Sequence, residues 1–310
     1  MRRAAVLAGL ALLLAGCGGD DEEAATTTAS RADWAIAFVR DGSLSLRSSL
    51  DTGGPITRGS AFRRVVDRNP AFSPDGESIA FVSDRGERPQ DDVYVLPVGG
   101  GEPRRVTDDA RIELEPVWRD ATTLVFVSCA IDFGECELAQ VRATGGSRER
   151  LRGVEGPLEL AQVRDGTLVY ARPAGAALDL ELDLYSMPLA GGEERRLTSE
   201  PGRDHEPDVA HDGRIAFARD AGAPGLARDI YVMDANGSEV RRLTDAPADD
   251  LAPAWSPDGE RIAWVRSGGG DPELWVMNAD GTCAQALTQN TAADVQPVWD
   301  PRYRPGPLDC

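Results

Sequence analysis

Most of this chain is written as short apolar runs broken by tight polar turns. The clearest passage is Pro253-Ala254-Trp255-Ser256-Pro257-Asp258-Gly259, followed by Arg261-Ile262-Ala263-Trp264-Val265. A second copy reads Pro70-Ala71-Phe72-Ser73-Pro74-Asp75-Gly76, then Ser78-Ile79-Ala80-Phe81-Val82. The runs are rich in Ile, Val, Phe and Trp, which favour strands. Between them, proline presets φ for a type I turn, aspartate bonds its own backbone, and glycine takes the left-handed exit. Each copy therefore predicts a strand, a tight turn and a second strand. A third strand is expected over residues 92–96, 229–233 and 273–277, followed by a Gly-bearing turn. A short fourth strand is expected over 104–107, 195–198, 241–244 and 285–288.

The leading proline recurs at Pro70, Pro116, Pro157, Pro207, Pro253 and Pro297, at intervals of 46, 41, 50, 46 and 44 residues. A period of about 40–50 residues with four short strands per unit is that of a β-propeller blade. Residues 34–39 match the second strand of a unit, but no first strand precedes them. Pro297-Val298-Trp299-Asp300-Pro301 opens a unit that never continues. The two halves complement each other, so the C-terminal strand is expected to close the N-terminal sheet. The expected fold is an all-β, six-bladed propeller over residues 34–310. Closure removes the two open edges that would template aggregation.

The Pro-x-Trp-Ser-Pro-Asp-Gly mark and its following Ile-Ala-Phe-like strand resemble the TolB-like, or PD40-type (WD40-like), propeller repeat. The resemblance covers roughly residues 33–302. It is strong around Ser73-Pro74-Asp75-Gly76 and Ser256-Pro257-Asp258-Gly259. It is worn at Arg119-Asp120-Ala121, Arg164-Asp165-Gly166 and His211-Asp212-Gly213, which lack the Ser-Pro. It implies a propeller of the cell envelope with an envelope protein or peptide as partner.

Residues 1–17 read as a leader rather than part of the fold. Arg2 and Arg3 are basic, an apolar stretch too short for a permanent membrane span comes next, and Leu14-Ala15-Gly16-Cys17 looks like a bacterial lipobox. Cys17 is the expected lipidation site, which places the protein outside the cytoplasm on a lipid anchor. Residues 18–33 carry Gly-Gly, the acids Asp20 to Glu23 and a Thr run, and read as a flexible acidic tether.

The formal charge is −19, and −21 once Arg2 and Arg3 leave with the leader; the chain has no lysine. Acidity on this scale argues against nucleic acid as a partner. Four cysteines remain after Cys17. Cys129 and Cys136 flank a hairpin loop, and Cys283 lies on the face where Cys310 ends, so two disulfides are expected in an exported protein. A four-Cys metal site lacks the Cys-x-x-Cys spacing it would need, so neither metal nor cofactor is expected.

Three residues before the leading prolines stand Asp67, Glu113, Val154, Asp204, Asp250 and Asp294. This position enters the innermost strand, where the resembling repeat carries similar acids. Asp67, Glu113, Asp204, Asp250 and Asp294 are the expected partner-binding acids of the channel mouth. There are two histidines, His205 and His211, and no Gly-x-Ser-x-Gly elbow. The sequence therefore reads as a monomeric, non-catalytic binding scaffold. The alternative is an envelope enzyme or glycan-binding protein with its site in the channel. A cluster of perturbed acids beside a ligand-sized pocket would favour the enzyme; a flat, well-satisfied acidic rim would favour the scaffold.

Overall fold

A strand holding a proline midway cannot donate to its neighbour at that point, so it must slip past it. The computed structural model shows this slip in each blade. The first-to-second-strand register shifts between Arg68 and Ala71, Leu114 and Val117, and Leu160 and Val163. It shifts again between His205 and Asp208, Leu251 and Ala254, and Val295 and Val298. The structure describes residues 35–49, 51–57, 65–86, 90–133, 135–154, 159–174, 182–220 and 227–310. The expected leader, Cys17, the tether, Trp34 and Pro157 lie outside the described residues.

The strands form six four-stranded antiparallel sheets. Five inner strands are Asp67–Phe72, Ile112–Asp120, Glu159–Arg164, Arg203–Val209 and Asp249–Trp255, opening blades 2 to 6. The sixth is Asp294–Trp299, which belongs to blade 1 and pairs antiparallel with Ala35–Arg40. Ile36 faces Trp299 and Arg40 faces Asp294. Each inner strand packs on the next, and the last packs on the first, so the ring is closed. The split unit read from the two chain ends is therefore real, and the chain is a six-bladed propeller.

The core lies between blades. Ile36 and Phe38 of blade 1 pack with Val265 and Leu274 of blade 6, and Trp299 joins them. Within blades, directly opposed aromatics stack across the second and third strands: Phe81 on Tyr94, Tyr170 on Tyr185, Phe217 on Tyr231. The indoles of Trp118 and Trp299 donate to the carbonyls of Ala71 and Ala254 in the preceding blade, at 2.9 and 3.0 Å. Ser73 Oγ donates to Asp75 Oδ1 at 2.6 Å, and Gly76 takes φ of +71°, as the turn chemistry requires.

Blade 4 departs from the sequence expectation. Its register aligns Glu159 with Arg68, and Gln162 with Ala71, so Ala161 takes the leading position and Pro157 and Val154 do not. Glu159 and His205, like Gln162 and Asp208, are 46 residues apart, the same spacing as Asn69 and Glu115. The proline intervals are irregular because Pro157 is not the slip residue of blade 4, which has no proline there.

Both cysteine pairs are bonded, Cys129 to Cys136 and Cys283 to Cys310. The second fastens the tail beyond the closing strand. Arg261 also bonds the tail carbonyls of Pro305 and Gly306, and Asp258 accepts from the Gly306 amide. Deletion of residues 294–310 opens the ring, removes the Arg40–Asp294 pair and exposes two sheet edges. The truncated protein is expected to aggregate or lose its cooperative melt in calorimetry. Cys310→Ser alone should cost about 3 kcal/mol of stability. A truncated protein that melts like the full chain would contradict the closure.

Candidate functional site

The five acids expected at the channel mouth are instead enclosed within the blades, each at most 2% exposed. Strand alternation turns them into the sheet stack, where most meet an arginine of their own blade. Asp204 takes both oxygens to Arg219 at 2.5 and 2.8 Å. Asp250 does the same with Arg266 at 2.7 and 2.8 Å, and also accepts from the Trp264 indole. Asp294 is held by Arg40 at 2.6 and 2.7 Å. Asp67 accepts from Arg85, Ser83 and Thr57, each at 2.6 Å. Arg85, Arg219 and Arg266 lie over the aromatic pairs beside them. Bidentate, stacked arginines suit a buried carboxylate well. These acids stitch the blades and are not presented to a partner.

Glu113 is the exception among the five. Ser128 stands where Arg219 and Arg266 stand in other blades, and its hydroxyl donates to Glu113 Oε1 at 3.3 Å. Glu113 Oε2 is buried without a hydrogen-bond partner. Burial, with Asp109 nearby, pushes this carboxyl up to about 8.

The channel itself is lined by the residues at the slip. Asn69, Glu115, Glu206, Ala252 and Gln296 each precede the leading proline with φ between 46° and 54°. A left-handed conformation at a non-glycine residue costs on the order of 1–3 kcal/mol. Here it sends one side chain from each of five blades into the channel. They knit the ring from blade to blade: Gln296 Oε1 accepts from the Asn69 amide at 2.8 Å, and Asn69 Nδ2 donates to Glu115 Oε1 at 2.8 Å. Across the channel, Glu159 Oε2 accepts from the Glu206 amide at 2.7 Å, and Glu206 Oε2 accepts from the Ala252 amide at 2.8 Å. His205 Nδ1 lies 3.2 Å from Glu159 Oε1. His211 lines the cavity further along.

These groups surround a cavity of about 570 Å³. Its carboxyls are far from ordinary. Burial, reinforced by the charges of Glu159 and Glu206, pushes Glu115 up to about 8. Burial also raises Glu206, against the pull of the Ala252 amide. Asp208 is pushed up to about 6 by burial, although the Trp255 and Val209 amides favour its charge. At neutral pH a protonated Glu115 thus faces the carboxyls of Glu159 and Glu206. A carboxyl held neutral within a cluster of acids is the arrangement of a proton donor paired with a base. Sequence reasoning missed this set. Its signal was the acid directly before the proline, in Glu115-Pro116 and Glu206-Pro207, rather than the acid three residues earlier.

No protein-family model matches the chain. Among curated proteins it is similar to the uncharacterized peptidase YuxL of Bacillus subtilis, at 29% identity over 164 residues. That match covers 53% of this chain and 23% of YuxL, so the chain spans about a quarter of the relative's length. The solved structures it resembles include TolB from Acinetobacter baumannii, with a TM-score of 0.70 and 18% identity over 86% of this chain and 66% of that one. They also include a puromycin-hydrolyzing peptidase from Mycobacterium tuberculosis, with a TM-score of 0.57 and 14% identity over 84% of this chain and 44% of that one. The fold is that of the TolB-like propellers. The reading as a non-catalytic scaffold, and of the chain as not an enzyme, is overturned. The curated relative is a peptidase, peptidase propellers share the fold, and the channel holds clustered, displaced acids rather than a flat, satisfied rim.

Glu113 offers a check on the electrostatics. Its folded value lies above its unfolded one, so the folded state binds the extra proton between about pH 4.5 and 8. The stability it supports is complete below that window and is lost as pH rises through it. Glu113→Gln should therefore raise the melting temperature at pH 8 relative to wild type, by an amount on the order of 1–3 kcal/mol, and change little at pH 4.5. Equal shifts at both pH values would contradict the assignment.

Proposed function

We propose that this propeller works as an envelope hydrolase of the peptidase class, with its site in the channel. The observation that carries the reading is Glu115, neutral at pH 7 between Glu159 and Glu206 at a ligand-sized cavity. Glu159 is the group to take a proton from an attacking water as its oxygen bonds to the peptide carbonyl. Protonated Glu115 is the group to give one to the departing amine as the C–N bond breaks. The acidic wall also favours the cationic end of a peptide. The similarity to YuxL supports the substrate class.

In the same reading the protein is held outside the cytoplasm by a lipid at Cys17. Two disulfides among the described residues suit an oxidising compartment. Lipid at Cys17, with more than one acyl chain, would hold it stably. Cys17→Ser should move the protein from the membrane to the soluble fraction and abolish lipid labelling. Wild-type protein that is soluble without detergent and carries no lipid mass would contradict the anchor.

Glu115→Gln keeps a neutral side chain in the cavity but cannot give up a proton. It should lower kcat/KM for short peptides by roughly 100- to 10,000-fold, with a melting temperature no lower than that of wild type. Wild-type rates should fall as pH rises through about 8, where Glu115 loses its proton. Peptide hydrolysis unaffected by this substitution would remove Glu115 from the chemistry.

A further inference from the structure

Just past the slip, four blades carry alanine or valine and two carry a polar residue. Ala71, Val117, Ala254 and Val298 hold equivalent positions, where blade 4 has Gln162 and blade 5 has Asp208. Val163 of blade 4 then matches Phe72, Trp118, Val209, Trp255 and Trp299, and Arg164 follows it at the end of the inner strand. Gln162, Arg164 and Asp208 lie on neighbouring blades and line the channel cavity. Packing cannot be what selects Gln162 and Asp208, because the same position packs well with an apolar side chain elsewhere in the ring.

Their mutual bonds leave an excess of donors. Asp208 Oδ1 accepts from Gln162 Nε2 at 2.8 Å, and Oδ2 accepts from the Trp255 amide at 2.6 Å. Arg164 makes no ion pair with a described residue. One Nη reaches Gln162 Oε1 at 3.4 Å, and Nε is buried with no hydrogen-bond partner. The Trp255 indole N–H is also without a partner, in a residue 5% exposed. The same indole N–H of Trp118 and Trp299 finds a carbonyl in the preceding blade. Asp165, beside Arg164, is exposed in its turn. A guanidinium in an inner wall without a matched carboxylate is costly, and a planar acceptor with two oxygens would relieve that cost.

We propose that the seam of blades 4 and 5 is a carboxylate subsite, in which Arg164 receives the C-terminal carboxylate of a short peptide. This rests on the peptidase reading of the channel and names its substrate class. Arg164 lies three strand positions beyond the level of Glu115 and Glu206. At the rise of a strand that is roughly 10 Å, the length of an extended tripeptide. The peptide's ammonium end then faces Glu159 and Glu206 while its carboxylate faces Arg164. The channel selects free, short peptides over internal segments of long chains.

The test is calorimetric titration of the Glu115→Gln protein with three probes: trialanine, its C-terminal amide and its N-acetyl derivative. Trialanine should bind at least tenfold more tightly than the amide. Adding Arg164→Gln should abolish that preference while the acetyl derivative stays weak; Arg164→Lys should keep part of it. Equal binding of acid and amide overturns the subsite, and this comparison needs no Arg164 variant to fold. A preference that survives in folded Arg164→Gln protein also overturns it. Turnover by the wild-type protein separates the two claims. Trialanine bound but never cleaved overturns the hydrolase and leaves the subsite. Free and amidated peptides cleaved with equal kcat/KM overturn the subsite and leave the hydrolase.

Discussion

One constraint recurs around the ring: every inner strand must slip by a residue where it passes the channel. Proline enforces the slip in five blades by withholding a donor, and the residue before it takes the left-handed conformation. The slip turns a side chain into the channel that an uninterrupted strand would have turned into the sheet stack. It also frees backbone amides along the channel wall, and the channel side chains of the neighbouring blade bond them. Asn69, Glu206 and Ala252 all give their amides in this way. The channel is therefore rigid because the same bonds that fill it hold neighbouring blades together.

Carboxylates fall into two populations on either side of that slip. Those ahead of it face the blade interior, where arginines stacked on aromatic pairs compensate them. Those at or after it, together with Glu159 just ahead of it, face the cavity and compete with one another. The first population makes the ring strong, and the second makes it chemically poised. Glu113 shows what the arrangement costs when the arginine is absent: a fully buried carboxyl that keeps its proton.

The fold was legible because its signals are local. Turn chemistry at Ser73-Pro74-Asp75-Gly76, short apolar runs and complementary chain ends depend on neighbours in sequence. Both disulfides were legible for the same reason, since blade order places Cys283 near the tail. The site was not. Asp67 and Glu115 are both acids near a leading proline, and only the register shift decides which faces the channel. In blade 4, Pro157 is a false landmark that points to Val154 and hides Glu159. Gln162 and Arg164 become informative only once that blade is aligned by its hydrogen bonds.

Enzymatic chemistry in this channel depends on a carboxyl that holds its proton because of its neighbours. Carbon-13 NMR of the glutamate side chains, with Glu115→Gln identifying the resonance, measures this directly. Glu115 is predicted to titrate near pH 8, and to shift downward when Glu159→Gln removes a neighbouring charge. Titration of Glu115 near its ordinary value of 4.5, indifferent to Glu159, would contradict that dependence.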